Sequence, residues 1–374
     1  MSETPLFQLA DDIIYLNHAA VAPWPVRTLD AVTAFARENV ARGAQHYPRW
    51  LEKEDELREQ LARLIGAPAA DTIALVKNTS EALSFVAFGL DWQAGDNIVI
   101  SNEEFPSNRI VWEAVAARHG VELRQVDLSS DATPEAALLA ACDAHTRLLS
   151  ISAVEYASGL RLDLAVLGTH CRQHDILFCI DAIQSVGALV TDVVAIDADF
   201  AMADGHKWML GPEGLGFFYV RPERRELLRL NEFGWHMVDD PHDFNRRDWQ
   251  PAAGAQRFEC GSPSMLGIHA LSASLSVLEE VGMVQVEAAL LERSRHLFAR
   301  IAESPVLETI SDSSEGRFAG IVTFRHHKQD NAACHAKLMA GGVICAPRGG
   351  GIRFSPHFHT PLAQLDAAVA LAEA

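Results

Sequence analysis

Basic residues are few: 31 Lys and Arg stand against 50 Asp and Glu, a formal net charge of −19. A nucleic-acid binder needs a basic patch or stripe, so this balance argues against such a partner. Long apolar runs are missing. None approaches the ~20 residues of a membrane-spanning helix, so no membrane partner is expected. The chain opens Met1-Ser2-Glu3-Thr4-Pro5, without the basic-then-apolar pattern of a secretory signal. Cysteine is sparse, six residues with no CxxC pair. A disulfide framework is therefore not expected, a reduced cytoplasm fits, and no metal site is expected. What remains is the composition of an ordinary globular protein, 49% hydrophobic and 22% charged over 374 residues. That length suggests two or three domain-sized units with a large core.

Periodicity places a helix from Pro25 to about Asn39, and a charged amphipathic helix over 50–65 that Gly66 and Pro68 stop. From Thr72 the pattern turns to strand, turn and helix, repeated. Apolar strand-length runs fall at 73–76, 97–100, 123–126, 148–151 and 176–180, and those at 200–203 and 215–220 extend the set. Alternation of this kind predicts an α/β fold with a mainly parallel sheet covered by helices on both faces. Residues 231–256, rich in Trp, His, Asp and Arg, lack periodicity and read as a long functional loop. Helices are expected over 264–281, 284–302 and 331–340. Strands near 306–310 and 319–324 suggest a smaller α+β unit.

The most informative stretch is Ala203-Asp204-Gly205-His206-Lys207-Trp208. Lys207 sits between a buried strand and the glycine-rich loop Gly211-Pro212-Glu213-Gly214-Leu215-Gly216. Such surroundings penalise an ammonium and favour the nucleophilic free amine. The apolar run 176–180 ends in Asp181, at the strand end where ligands bind in open α/β sheets. A lysine for an aldehyde and a carboxylate for a pyridinium nitrogen are the pair that pyridoxal phosphate requires.

With Gly205-His206-Lys207-Trp208 and Asp181-x-x-Gln184, the chain resembles the class V aminotransferases of fold type I pyridoxal-phosphate enzymes. That group includes cysteine desulfurases, kynureninases and isopenicillin N epimerases. The resemblance runs from Leu16-Asn17-His18-Ala19-Ala20 to Ile352-Arg353-Phe354-Ser355-Pro356-His357. It implies a seven-stranded-type sheet in a large cofactor domain, residues 25–255. A site-lining arm, 1–24, would precede it, and a smaller α+β domain, 256–374, would follow.

The resemblance also implies roles. Lys207 would carry the cofactor, Asp181 would face its ring nitrogen, and Gln184 its 3-oxygen. Thr79, Ser80 and His206 would hold the phosphate. For Thr79 and Ser80 the alternative is a plain helix N-cap. Phe105 would stack on the ring, where desulfurases carry histidine; its alternative is a core residue at a strand end. Tyr156 falls where desulfurases often have asparagine. Asn17 and His18 would line the substrate side, with a capped turn as their alternative. Ser262 would reach the cofactor phosphate of a partner subunit, implying a homodimer with shared sites, or would cap the 264–281 helix. Arg353, with Arg348 second, would take the substrate carboxylate; a surface ion pair is the alternative. Where the family commonly has serine or threonine ahead of the His-Lys pair, this chain has Asp204. It would be repelled by a phosphate, and so would point away, bind through water or a cation, or order the loop.

The motifs name a chemistry better than a reaction. Transamination of a small amino acid is the first reading. C–S lysis of the cysteine desulfurase kind, epimerisation and kynureninase-like hydrolysis are alternatives, and a non-enzymatic cofactor carrier is another. Desulfuration through an enzyme persulfide needs an accessible cysteine. Cys345, in an apolar run, is poorly suited to it.

Overall fold

The computed structural model describes residues 6–129 and 133–374. In chain order the strands are β1 (Ile14–Tyr15), β2 (Ile73–Val76), β3 (Asn97–Ser101), β4 (Glu122–Val126), β5 (Thr146–Ser152), β6 (Leu177–Asp181), β7 (Phe200–Asp204) and β8 (Gly216–Val220), then β9 (Leu307–Thr309), β10 (Val322–His326), β11 (Val343–Ile344), β12 (Ala346–Arg348) and β13 (Gly351–Phe354). The helices are α1 (Val26–Arg42), α2 (Tyr47–Leu64), α3 (Thr79–Gly89), α4 (Pro106–His119), α5 (Pro134–Ala140), α6 (Leu164–Gln173), α7 (Met265–Val281), α8 (Met283–Ala302), α9 (Asn331–Ala340) and α10 (Leu362–Glu373).

Seven strands form one sheet in the order β2-β8-β7-β6-β5-β3-β4. β8 runs antiparallel to both its neighbours, and the other pairings are parallel. Side chains alternate between two apolar layers because a strand points successive residues to opposite faces. Phe217 and Tyr219 of β8 join one core cluster, and Phe218 and Val220 the other. β6 does the same, with Phe178 and Ile180 on one face and Leu177 and Cys179 on the other. Burying each of these large side chains contributes about 1.5–3 kcal/mol, so a sheet covered on both faces follows from near-continuous apolar strands. On one of these faces α7 packs against α1 and α2, adding Ile268, Leu271 and Leu275 to the first cluster.

A second sheet, antiparallel in the order β12-β13-β10-β9, shares a core with residues of α8, α9 and α10. The N-terminal arm is tied to this part of the chain. β1 pairs in parallel with β11, Leu16 is fully buried in its core, and Asn17 bridges Ser355. Among the described residues no helix is long and apolar enough to cross a membrane.

Candidate active site

The carboxyl ends of β3, β5, β6 and β7 meet the β2–α3 turn along one edge of the large sheet. A cavity of about 360 Å³ opens there. It is lined by Thr79, Ser80, Phe105, Tyr156, Asp181, Gln184, His206, Lys207, Arg348 and Arg353 from the sequence expectation, and by Asp204.

At its centre stand Asp181, 2% exposed, and Lys207, 8% exposed. Loss of hydration on burial pushes Lys207 down to about 8, opposed by the charge of Asp181 and helped by that of Arg353. Burial likewise raises Asp181 to about 6, against the Ile183 N–H bonded to its Oδ1 at 3.1 Å and the charge of Lys207. The environment thus makes the amine available near neutral pH and still leaves the acid ionised there. Gly187, at φ +90°, lets the chain after β6 lie against the lysine loop. A Cβ on it would sit 2.4 Å from the Trp208 carbonyl oxygen.

One end of the cavity is built for an anion. Asn78, not Thr79 or Ser80, caps α3: its side-chain oxygen accepts from the Glu81 N–H at 2.9 Å. Thr79 Oγ1 is buried and has no hydrogen-bond partner, and Ser80 donates to Ser107 at 2.8 Å. Both hydroxyls flank a helix N-terminus, where the peptide dipoles favour negative charge. His206 Nδ1 lies 3.2 Å from Asp204 Oδ1, yet the two are not aligned for a hydrogen bond and both remain unpartnered. Asp204 therefore does not point away. It faces His206 inside the cavity.

Phe105 is 40% exposed and belongs to no core cluster among the described residues, which rules out its reading as a core residue. Its ring meets Tyr156 edge-on at 5.1 Å and lies 5.6 Å from the Lys207 amine. The segment carrying it is fixed by Glu104, which accepts from the Ser152 N–H and hydroxyl at 2.8 and 2.7 Å and from Asn108 at 2.8 Å. Burial pushes the Glu104 carboxyl up to about 7. Gln184 is held at both ends. The Trp208 indole N–H donates to its Oε1 at 2.8 Å, and its Nε2 donates to the Ala19 carbonyl at 3.1 Å. An indole can only donate, so the amide cannot turn over without losing that bond. One Nε2 proton remains for the cavity.

Arg353 is 2% exposed, donates to the Tyr156 carbonyl at 2.6 Å, and keeps its Nε unpartnered. It is not a surface ion pair. Burial pulls it down to about 10, and the neighbouring Arg348 adds to this. The buried donors with nothing to bind, Thr79 Oγ1 and Arg353 Nε, fit a phosphate at one end and a carboxylate at the other. A lysine and an acid lie between them. This set suits pyridoxal phosphate with an amino acid.

Three expected residues are not brought to this cavity. Ser262 is exposed beside a separate pocket lined by Lys77, Glu81, Glu232 and Cys260. It is not the cap of α7 either: Ser264 occupies that position, without a side-chain bond. Asn17 and His18 lie behind the cavity wall, and Ala19, Ala20 and Val21 of the same arm line it instead. His18 is fully buried, its Nδ1 2.9 Å from the Ser355 carbonyl, and it packs near Trp208 and His357. The sequence reading also missed Ser107, Ile183 and Glu213. Glu213 lay in plain view within the glycine-rich loop after Lys207.

Comparison with known proteins gives the family and the fold. The model of the class-V aminotransferase family matches residues 14–353. A probable cysteine desulfurase of Methanothermobacter thermautotrophicus is 32% identical over 347 residues, covering 91% of this chain and 85% of that protein. The cysteine desulfurase of Salmonella typhimurium is 31% identical over 329 residues, covering 85% and 80%. Among solved structures, the cystine C-S lyase C-DES with its reaction product cysteine persulfide superposes with a TM-score of 0.90 at 24% identity, over 97% of this chain and 98% of that one. The apo cysteine desulfurase of Thermococcus onnurineus gives 0.85 at 23%, over 97% and 94%. These two structural likenesses carry the fold. The curated relatives bear the name of the C–S-cleaving alternative rather than that of an aminotransferase. The protein belongs to the class-V aminotransferase family and is a pyridoxal-phosphate enzyme.

Proposed function

We propose that the protein cleaves the Cβ–S bond of a cysteine-derived amino acid by β-elimination and releases the sulfur group directly. The observation that carries this reading is the lining of the cavity, which among the described residues presents no thiol. Among the described residues no cysteine lines the cavity, and Cys345 is 5% exposed with its thiol pushed up to about 12 by burial. A persulfide carrier needs an accessible thiolate. The names of the curated relatives supply the C–S chemistry, and the missing thiol directs it toward elimination.

In this reading Lys207 would hold the cofactor, and Asp181 would balance its ring nitrogen. Thr79, Ser80 and His206 would take the phosphate. The remaining Nε2–H of Gln184 would hydrogen-bond the 3-oxygen, Phe105 would cover the ring, and Tyr156 would stand beside it toward the substrate. Asn17 and His18 act from behind the wall, by holding the arm whose next residues line the cavity. Bound pyridoxal phosphate supplies an electron sink for the substrate α-carbon. Arg353 would clamp the substrate α-carboxylate and so orient the α-carbon. The Lys207 amine would take the α-proton. The Cβ–S bond then breaks with its electron pair leaving on sulfur, which takes up a proton. With one water, the balance is R–S–CH2–CH(NH3+)–COO− to RSH, pyruvate and ammonium. Ser262 completes the phosphate site of a second copy in a homodimer.

The test is to incubate holoenzyme with cystine and cysteine thioethers and to measure thiol, pyruvate and ammonium together. Elimination gives pyruvate and ammonium in equal amounts. A keto acid that retains its sulfur, formed without ammonium, would establish transamination in its place.

A further inference from the structure

Four arginines among the described residues are buried: Arg58, Arg225, Arg257 and Arg353. The first three each meet a carboxylate within 4 Å, whereas Arg353 meets none. In a chain with 50 acidic residues and 31 basic ones, an unpaired buried guanidinium is a charge kept for a ligand. One substrate α-carboxylate satisfies it.

A second guanidinium shares the site. In the β12–β13 hairpin Ala346 lies opposite Arg353, and Arg348 opposite Gly351. Cross-strand partners share a face, and residues two apart on one strand share a face as well. Arg348 and Arg353 therefore leave the hairpin on the same side as diagonal neighbours, and both line the cavity. The hairpin tip is fixed there: Gly349, at φ +57°, abuts the Ala157 carbonyl, where a Cβ would lie 3.1 Å away. Arg348 hydrogen-bonds only the Pro347 carbonyl, and among the described residues it has no carboxylate within 4 Å. Glu213 also lines the cavity and likewise meets no basic group within that distance. Arg348 is exposed and solvated at the mouth while Arg353 is buried, so the two guanidiniums together offer the cavity more positive charge than one α-carboxylate requires.

We propose that Arg348 is a specificity-determining residue that receives a second carboxylate, carried on the sulfur-bearing end of the substrate, while Arg353 holds the α-carboxylate. This rests on the C–S lyase reading for the identity of that end. Two kinds of substrate bring such a carboxylate: an S-carboxyalkyl cysteine, and a doubled amino acid such as cystine, whose distal ammonium would face Glu213.

The test compares S-carboxymethyl-cysteine with its neutral isostere S-carbamoylmethyl-cysteine on holoenzyme. It reads the shift in cofactor absorbance on titration and, separately, pyruvate release. The expected preference for the carboxymethyl compound is about tenfold, the scale of one charge-assisted hydrogen bond. In Arg348→Gln that ratio falls to near one. In Glu213→Gln, cystine weakens relative to S-carboxymethyl-cysteine if the doubled amino acid is the source, and holds its place if it is not. A wild-type ratio near one, or a ratio that survives Arg348→Gln, overturns the proposal. The absorbance titration reports binding without turnover, so it decides the role of Arg348 even if no thioether is cleaved and the lyase reading fails.

Discussion

Replacing Trp208 by phenylalanine probes how the cavity wall is held. The indole is fully buried, and its N–H donates to Gln184 Oε1 at 2.8 Å. Phenylalanine leaves that acceptor buried without its partner, a loss of about 1–3 kcal/mol. The smaller ring also opens a void where the indole now touches Gly320, whose Cβ would lie 2.4 Å from the ring. A void of about 40 Å³ costs ~1 kcal/mol. Apo protein should therefore lose about 2–4 kcal/mol in urea denaturation, through a lower midpoint at unchanged slope. Gln184→Leu supplies the control. In that background only the void remains, so Trp208→Phe should cost ~1 kcal/mol and the pair should couple by at least ~1 kcal/mol. Strict additivity of the two substitutions would refute the claim that the indole fixes the amide.

Three further outcomes follow from the charges. Lys207 near 8 and Asp181 near 6 predict that cofactor loading of apoenzyme speeds up as pH rises and levels off above about 8. A stopped-flow profile still climbing at pH 10 would mean an unperturbed lysine. Arg353→Gln should lower kcat/KM by roughly 30-fold or more, the ~2–5 kcal/mol of a buried charge left without its partner, and a change under threefold would remove Arg353 from the substrate site. Burial holds His18 at about 3, His357 at about 4 and His359 well below the ordinary value. The unfolded chain binds protons near pH 6.5 that the native one refuses. Stability is thus full above about 6.5 and falls toward pH 4, by up to ~1.4 kcal/mol per pH unit for each histidine. Urea midpoints at pH 7 and 5 measure this, and a flat profile would contradict the burial.

The sheet and the two residues at the centre of the cavity were legible because local pattern encodes them. Buried strands are continuous apolar runs, and Asp181 and Lys207 sit where such runs stop. What stayed hidden depends on contacts far apart in sequence. Asn78 takes the cap of α3 and frees Thr79 and Ser80, a choice among three adjacent polar residues that only the backbone makes. Asn17 and His18 turn away because the arm is pulled into register by β11 and Ser355, more than 300 residues downstream. The antiparallel β8 has the same apolar character as its parallel neighbours, so its direction left no mark in composition. For Phe105 the strand-end position left a core residue open beside a ring-stacking one, and only the fold shows it 40% exposed with Tyr156 beside it.

The most direct measurement is to reduce the holoenzyme with borohydride, digest it, and find by mass spectrometry which lysine has gained the cofactor. The label is predicted on Lys207, with the yellow absorbance lost in the same step. A label on any other lysine, or an unlabelled Lys207 in protein that had bound pyridoxal phosphate, would contradict the account.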